Sequence, residues 1–578
     1  MRPRAAPLVL VTLPLACGGG EGARELRSAV LITLDTTRAD ALGCYGRADS
    51  PTPSLDRLAR ESVVQEGAHT VAPLTLPAHA SMMTGLYPPR HTVRDNGMSP
   101  VPRSAVTLAE RARAAGVQTA AVVAAAVLDH AFGLDQGFDS YDDPAHRGFE
   151  GSERRASEVA DRALAWLAGR DRERPFFLWV HLFDPHAPYD PPDAFRSAPG
   201  AGVPYLGEVA AMDGAIGRLV ERLREDELLD ELTLMVVADH GEAFGEHEEY
   251  SHGAYCYEPT LRVPMLLRHP GGRGGGGRSA RVTSVVDVHP TLAEAMGLPP
   301  ERSAPALDGE SLFGREAAPE RGVYFESYNG FLYYGWSPIA GWLDARGKYL
   351  HSSEPQLFDP WSDPGEAADL VVERASELDG YRAAIERLTR RPALSREQAH
   401  VAQDLLVDVQ NLGYAGAGDA PEDDLPHPLA ESDLPAPART AAVHRKLMEA
   451  TVHRNAGDPQ GACALLEEVL AADPANYYAR ETLGSTLIEA QRCADAIPVF
   501  EALLRDGRRG PSTYYLLAVA LMRVEREAEA VDALVSSHEL APGNAAVLEA
   551  LAGLLEREGR ADEAATYRAR LRALPGGR

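Results

Sequence analysis

The chain has 578 residues, of which 45% are hydrophobic, and its formal net charge at pH 7 is −28. A chain of this length exceeds the usual size of one domain, so we expect more than one hydrophobic core. The excess of acidic residues argues against nucleic acid as a partner, because a negative surface repels the phosphate backbone.

The N-terminus is typical of a short secretion signal. Basic residues among the first four positions precede an apolar stretch over residues 5–16, and Cys17 follows. Residues 1–17 are therefore predicted to be a signal peptide, and the sequence before Cys17 resembles a bacterial lipoprotein cleavage site, which would leave a lipid anchor. This predicts an exported protein of the periplasm or cell surface; the alternative is a cytoplasmic protein with an unstructured N-terminus. No later stretch has the roughly 18 apolar residues of a transmembrane helix.

Two apolar segments end in side chains that can bind a ligand. Residues 29–34 and 234–238 are typical of buried parallel strands; Asp35 follows the first, and Asp239 and His240 follow the second. Ligands of open α/β sheets collect at the carboxyl ends of the strands, so these three side chains are expected to converge. Either aspartate alone could instead begin a turn or cap a helix.

A third apolar segment begins at Phe176 and ends in His181, Asp184 and His186. A single histidine after a strand is usually structural. Two histidines together with an aspartate point to a functional site at the end of this strand as well.

Thr75 precedes Pro77 and a run of helical composition. Proline is favoured in the first turn of a helix, so Thr75 is predicted at or just before a helix N-terminus. Free backbone N–H groups and the helix dipole favour an anion there, sulfate and phosphate alike. A lone threonine near a proline is more often structural, so this interpretation depends on its agreement with the three strand segments.

The ordered segments resemble the sulfatase family of the alkaline-phosphatase superfamily. The matching stretches are residues 34–46, 52–59, 80–88, 181–186, 251–253, 257–264, 356–360 and 363–366. Each stretch alone is a weak motif, whereas the ordered series is strong. The resemblance implies an α/β catalytic domain over residues 28–413, with a mixed sheet sandwiched by helices.

Carried over residue by residue, the resemblance implies a metal centre. Asp35, Asp239 and His240 would be metal ligands, and Thr75 would occupy the position of the metal-bound nucleophile. Mixed oxygen and imidazole ligands favour zinc or manganese over calcium or magnesium, although all four remain open.

The resemblance also implies residues that act on the substrate. His181 or His186 would hold the ester or protonate its leaving oxygen, and Asp184 would lie beside the substrate. Asn96 and His252 have spacings similar to those of the family's substrate-binding asparagine and lysine. Asp184, His186 and His252 could also supply a second metal or a general base.

Three positions depart from the family pattern. Thr75 stands where the family has a cysteine or serine that is oxidised to formylglycine, and His79 replaces the arginine of the same motif, where it would bind substrate. Thr36 stands where many members have a second aspartate on the metal. Oxidation of threonine would give a ketone, which hydrates poorly, so we expect Thr75 to be unmodified. A hydroxyl on a divalent cation can still attack as an alkoxide.

The resulting prediction is a metal-dependent hydrolase that acts on a small-molecule or glycan ester of sulfate or phosphate. Phosphodiesterases and phosphoethanolamine or phosphoglycerol transferases of the same superfamily use such a threonine, so a transferase is one alternative. Loss of the family arginine and aspartate leaves a second alternative, a catalytically inactive scaffold.

The C-terminal part of the sequence is repetitive. Residues 414–438 are rich in Gly, Pro and acidic residues and are predicted to be a linker. Beyond it, a 34-residue period is marked by Ala462, Ala496, Ala530 and Ala564. The pattern over residues 439–575 resembles tetratricopeptide repeats, which stack helix pairs into a solenoid; the alternative is a generic Ala-rich bundle. Such a solenoid would bind a protein, a peptide or the catalytic domain itself.

Overall fold

In the computed structural model, the described residues are 25–97, 99–144, 153–197, 202–300, 305–313, 321–397, 405 and 425–574. The predicted signal peptide and Cys17 lie outside these ranges, as do residues 414–424 of the predicted linker. No helix among the described residues is long and apolar enough to cross a membrane.

An eight-stranded mixed sheet forms the core of the larger domain. Its strands are β1 (Ala29–Leu34), β2 (Val63–His69), β3 (Gln118–Val122), β4 (Ser140–Asp142), β5 (Phe176–Leu182), β6 (Thr233–Ala238), β7 (Met265–Arg268) and β8 (Arg278–Ser284). They lie in the order β4-β3-β5-β1-β6-β7-β2-β8. β7 runs antiparallel to β6 and β2, while the other neighbouring strands are parallel.

The three apolar segments identified in the sequence are confirmed as adjacent central strands. β1 pairs in parallel with β5 on one side and with β6 on the other. Every residue of these three strands is buried, which explains why each is a continuous apolar run without alternation. Their carboxyl ends therefore lie side by side at one edge of the sheet.

Helices pack around this sheet in two groups. The helices of the domain are α1 (Pro53–Ala59), α2 (Thr75–Thr84), α3 (Pro88–His91), α4 (Leu108–Ala115), α5 (Ala156–Gly169), α6 (Pro204–Glu225), α7 (Glu258–Leu261), α8 (Val288–Ala295) and α9 (Leu378–Thr389). In one group α6 contacts α1 and α5, and in the other α2, α4 and α8 contact one another. The predicted α/β architecture is confirmed.

A second, antiparallel sheet follows in the chain. Its order is β12-β11-β10-β9, formed by β9 (Gly322–Ser327), β10 (Ile339–Asp344), β11 (Gly347–His351) and β12 (Gln356–Phe358). A π-helix at Gly330–Tyr334 connects β9 to β10. The sequence pattern did not predict this sheet, because its strands are short and no regular spacing of turn residues separates them.

A buried ion cluster joins the second sheet to the first. The Lys348 ammonium on β11 lies 3.1 Å from Glu258 Oε1 and 2.7 Å from Glu366 Oε1. Glu258 also contacts His69 Nε2 at 3.1 Å, at the end of β2. Burial alone would raise the pKa of Glu258, but His69 and Lys348 hold that pKa well below its usual range.

Replacing Lys348 with methionine should lower the free energy of unfolding by about 3–5 kcal/mol, because two buried carboxylates lose their common partner. Urea denaturation would measure the change. The matched control is Lys446→Met, since Lys446 makes an equally short 2.7 Å contact with Glu468 at an exposed site and should cost less than about 1 kcal/mol. Equal effects of the two substitutions would contradict this assignment.

The C-terminal domain is an array of antiparallel helix pairs. Its helices are α10 (Ala441–Asn455), α11 (Pro459–Ala472), α12 (Tyr477–Glu489), α13 (Cys493–Arg505), α14 (Pro511–Arg523), α15 (Glu527–Leu540), α16 (Ala545–Arg557) and α17 (Ala561–Ala573). Each helix packs on the next one in the chain. A Cβ atom added to Gly484 would lie 2.6 Å from the Phe500 ring, so the small residues of the repeat allow close crossing. The predicted repeat architecture is confirmed.

Residues 425–438, the described part of the predicted linker, pack against the larger domain. The carbonyl of Pro426 accepts a hydrogen bond from the Tyr328 hydroxyl at 2.8 Å, and that of Pro435 accepts one from the Ser337 N–H at 2.9 Å. The assignment of residues 414–438 as a linker stays a prediction, and this described part of it is held against the surface of the larger domain.

Candidate active site

The backbone of the central strands fixes two acidic residues at one edge of the sheet. The N–H of Asp35 donates to the carbonyl of Leu182 at 2.9 Å, so Asp35 is held at the joint end of β1 and β5. The N–H of Asp239 donates to the carbonyl of Leu34 at 3.1 Å, at the joint end of β1 and β6. Strand pairing therefore brings the two carboxylates together.

Asp35, Asp239 and His240 converge as the sequence predicted. Their candidate ligand atoms all lie within 4.8 Å of one another, and all three residues are buried. The Thr75 hydroxyl oxygen is 3.4 Å from Asp35 Oδ2 and 3.4 Å from His240 Nε2. The four residues thus form one compact group, whose catalytic and ligand roles stay predictions.

The acidic pair fits a divalent cation. Asp35 Oδ1 and Asp239 Oδ2 are buried and have no hydrogen-bond partner among the described residues. Burial raises the pKa of Asp35 to about 8. Burial, with the nearby Asp35 charge, also raises the pKa of Asp239 well above its usual range. A bound cation would stabilise both carboxylates in their charged form.

The backbone at Thr36, directly after Asp35, has a strained conformation. Thr36 has φ 43°, which β-branched residues rarely adopt. Its carbonyl accepts a hydrogen bond from the Tyr205 hydroxyl at 3.0 Å, whereas its own hydroxyl oxygen is buried and has no hydrogen-bond partner among the described residues. The position where many family members have a second aspartate is therefore held here through its main-chain carbonyl.

Thr75 is the first residue of α2, which confirms its predicted place at a helix N-terminus. The next N–H group, that of Leu76, donates to Asn96 Oδ1 at 2.8 Å. Asn96 Nδ2 is buried and has no hydrogen-bond partner among the described residues. Asn96 thus completes the first turn of α2 and keeps an amide group near the nucleophile position.

His79 is a fully buried residue of α2 itself. Its Nδ1 is 2.8 Å from the carbonyl of Thr75, and its Nε2 is 3.0 Å from the Thr33 hydroxyl. Both ring nitrogens therefore have partners within the protein. This placement suits a residue that supports α2, and the predicted contact of His79 with substrate stays a prediction.

The histidines of the third segment surround the acidic pair. His181 Nδ1 accepts a hydrogen bond from the Ala124 N–H at 3.3 Å, so the proton lies on Nε2, which is 3.3 Å from Asp35 Oδ2. His186 Nδ1 lies 2.7 Å from the Ala187 carbonyl. Burial lowers the pKa of both imidazoles to about 3, so both are neutral over the physiological range.

Asp184 caps the N-terminus of α5. Its Oδ2 accepts a hydrogen bond from the Ala156 N–H at 2.5 Å, and burial raises its pKa to about 7. Asp184 and His186 are 7% and 6% exposed, whereas Thr75 and its three neighbours are fully buried. The side of the site that carries Asp184 and His186 is therefore the side nearer to solvent.

Comparison with known proteins identifies both domains. Residues 27–298 match the sulfatase family model, and residues 445–574 match a tetratricopeptide-repeat model. The chain carries a sulfatase-family domain followed by tetratricopeptide repeats.

Relatives of the sulfatase domain include enzymes that differ in their named activity. An arylsulfatase of Clostridium perfringens is 24% identical over 59% of this chain and 89% of that protein. A multifunctional alkaline phosphatase superfamily protein of Trinickia caryophylli is 24% identical over 66% of this chain and 96% of that protein. The solved phosphonate monoester hydrolase of Agrobacterium radiobacter superposes with a TM-score of 0.51 at 21% identity, over 63% and 94% of the two chains.

Another solved structure contains a sugar. A protein in complex with its substrate D-glucosamine-2-N,6-O-disulfate superposes with a TM-score of 0.55 at 19% identity, over 63% of this chain and 97% of that one. At such identities the two superpositions show a common fold.

The sulfatase domain contains one site residue that sequence reasoning missed. Glu242 is buried; its Oε1 lies 3.1 Å from His252 Nδ1, and its Oε2 accepts a hydrogen bond from the Tyr189 hydroxyl at 2.9 Å. The His252 ring is 4.4 Å from that of His240. Burial lowers the pKa of His252, but the surrounding carboxylates, Glu242 foremost with Asp35 and Glu249, together outweigh it, and the net shift is upward. The signal was present, since Glu242 lies three positions after Asp239 in the same motif.

Proposed function

We propose that the sulfatase domain is a metal-dependent hydrolase of phosphate or sulfate esters, with the unmodified hydroxyl of Thr75 as nucleophile. The observation that carries the proposal is the position of this hydroxyl. It lies at the N-terminus of α2 and at 3.4 Å from both Asp35 Oδ2 and His240 Nε2. A nucleophile, two ligand-type groups and the positive end of a helix dipole thus meet at one point.

Asp35, Asp239 and His240 would hold the metal ion, for which zinc or manganese is favoured by the mixed donor set. Such an ion lowers the pKa of a bound hydroxyl and polarises the ester. The hydrogen bond from Thr75 to Asp35 gives the hydroxyl proton an acceptor at the start of the reaction.

The rest of the site would bind and orient the ester. The Leu76 N–H at the start of α2 already donates to Asn96 Oδ1, so the Asn96 amide, whose Nδ2 has no partner among the described residues, would donate to the equatorial oxygens as negative charge develops there. His252 would take the place of the family's lysine, because Glu242 holds its ring and favours the imidazolium form. On this assignment, His252 donates a proton to the leaving oxygen, whereas the neutral His181 and His186 would help to hold the ester.

The identity of the second acceptor separates a hydrolase from a transferase. The covalent Thr75 ester would pass to water in the first case and to an alcohol in the second. We favour water and a small-molecule or glycan ester, in line with the sugar substrate named for the solved relative. We further propose that the protein is exported, with its hydrolase domain at the periplasmic side or the cell surface.

Assay of purified protein with aryl sulfate, phosphate monoester and phosphodiester substrates across several divalent metals would test the proposal. We expect metal-dependent turnover of at least one of them, and the phosphate esters to be the better substrates. No turnover of any substrate, together with no bound metal, would favour the inactive-scaffold alternative.

His252→Ala should lower kcat by about 10²–10³-fold, within the range for removal of a general acid. His252→Lys should retain activity within about tenfold of the wild type, because an ammonium restores the positive charge. Steady-state kinetics with metal content measured in parallel would check this. Equal loss in both variants, with metal still bound, would show that charge at this position is not what matters.

A further inference from the structure

The first repeats of the C-terminal domain contact the sulfatase domain at two segments that also reach the catalytic centre. We call residues 249–257 and 329–336 the shared segments. The first lies between the ligand motif after β6 and α7, and the second contains the π-helix. Contacts join α12 to the π-helix, and α10 to the 3₁₀ turn Glu246–Glu248, which directly precedes the first segment.

The first shared segment carries His252 on one side and a repeat contact on the other. The Tyr255 hydroxyl is 3.3 Å from the Thr440 hydroxyl, immediately before α10, and its ring packs edge-on against His444 at 5.5 Å. Tyr255 also donates its N–H to Glu249 Oε1 at 3.1 Å, which closes the turn that contains His252. The repeat domain therefore contacts the turn that presents His252.

The second shared segment links the repeats to the start of α2. The Tyr333 hydroxyl donates to the Asp95 carboxylate, next to the asparagine that caps α2. The neighbouring residue Tyr334 packs in the other direction, against His444 of α10 at 6.0 Å and Tyr478 of α12 at 5.7 Å. Single-turn π-helices are often found at functional sites, and this one contacts both domains with adjacent side chains.

Trp336 joins the two shared segments and anchors them to the repeats. Its ring is stacked on that of Tyr255, with an interplanar angle of 4° and centroids 6.2 Å apart. Its indole N–H donates to Asp473 Oδ2 at 2.9 Å, in the turn between α11 and α12. Trp336 is fully buried. Loss of its hydrogen bond to Asp473 would therefore leave a buried indole N–H without that acceptor, which costs stability.

A second turn of the repeat domain can be compared with the turn that contains Asp473. The turn at residues 473–476 recurs as residues 541–544, and in both turns an asparagine caps the following helix. Asn476 accepts from Ala479 N–H at 2.9 Å, and Asn544 caps α16 in the same way. At the position of Asp473 the distant turn has Ala541. Asp473 Oδ2 also accepts a hydrogen bond from Asn476 Nδ2 at 3.2 Å within its own turn. Because the distant turn caps its helix without an acid, the repeat does not require that contact, and the hydrogen bond from Trp336 is what distinguishes Asp473.

We propose that the first repeat is a positioning element of the catalytic site, in which Asp473 and Thr440 hold the shared segments through Trp336 and Tyr255. The shared segments in turn hold His252 and the Asp95–Asn96 corner in place. The expected change in kcat rests on the proposed function. The expected change in the mobility of the shared segments rests on the contacts alone. It assigns the catalytic domain itself as the partner of the first repeat.

The test is Asp473→Ala in the full chain, which gives the near turn the residue that the distant turn already has. We expect kcat to fall about tenfold or more while KM and bound metal change little, because small displacements of oriented groups slow the chemical step. Amide hydrogen exchange should become faster in the shared segments. Trp336→Phe, which removes the same N–H, should reproduce both effects, and the double variant should add little to either.

The matched control is Asn544→Ala, which weakens a cap in the distant turn and should leave kcat and exchange in the shared segments unchanged. Wild-type kcat and exchange in Asp473→Ala would overturn the proposal, as would an equal kinetic loss in Asn544→Ala. If the wild type turns over none of the substrates, the proposed function fails. Exchange then decides the mechanical coupling by itself: faster exchange in Asp473→Ala supports it, and unchanged exchange overturns it.

Discussion

Thr75→Ala is expected to lower kcat by at least about 10³-fold, because no other group replaces a removed nucleophile. Thr75→Ser should keep activity within about tenfold, since the attacking hydroxyl is retained. The protein should still fold and bind metal in both variants, as Asp35, Asp239 and His240 are untouched. Full activity of Thr75→Ala would rule out the proposed mechanism.

Thr75→Cys extends this experiment to the choice between ester classes. In a host that forms formylglycine, the cysteine would be oxidised to an aldehyde, whose hydrate is the nucleophile implied by the family resemblance. Gain of aryl sulfate hydrolysis would show that threonine alone redirected the site. His79→Arg should be added only as a second step, because His79 is buried and hydrogen-bonded to Thr33 and to the Thr75 carbonyl.

The second large effect is expected for Asp239→Asn, which should abolish metal binding and lower kcat by at least about 10²-fold. In the wild type, added metal should raise the melting temperature, since ligand at 1,000 times its Kd stabilises a protein by about 4 kcal/mol. The variant should lack this rise. Without metal, Asp239→Asn should be at least as stable as the wild type near pH 7, because a buried carboxyl whose pKa is raised on folding destabilises the folded state there and the amide does not titrate.

Asp213→Asn is the matched control for the metal experiment. Asp213 is also a buried aspartate, but it accepts hydrogen bonds from the N–H groups of Ser54 and Leu55 at the start of α1. Its replacement should affect stability and leave metal binding intact. Equal metal content in Asp239→Asn and Asp213→Asn would contradict the assignment of Asp239 as a ligand.

The parts of the site that were predictable are those encoded by local patterns. Asp35, Asp239 and His240 each follow a continuous apolar strand, and strand pairing at the sheet edge is enough to bring them together. Thr75 lies two residues before Pro77, in the first turn of a helix where proline is favoured, which is again a local signal. The helix periodicity of the repeats and their small residues identified the second domain in the same way.

The parts that were not predictable depend on contacts between distant residues. Glu242 is in a recognised motif, but its pairing with His252 depends on the path of the intervening loop. The hydrogen bond from Trp336 to Asp473 spans 137 residues and has no sequence pattern of its own. His79 was predicted to replace a substrate-binding arginine, and only the structure showed that it is buried within α2 with both ring nitrogens bonded inside the protein.

Thr36 has a consequence for how this protein could change under selection. A threonine held at φ 43° costs about 1–2 kcal/mol relative to a relaxed backbone, and glycine would relieve that cost. Thr36→Gly would remove this strain while keeping the same φ, and with it the backbone geometry next to Asp35. Selection for heat resistance alone would thus favour glycine at this position, and the gain would be limited by the larger conformational entropy that glycine has in the unfolded chain.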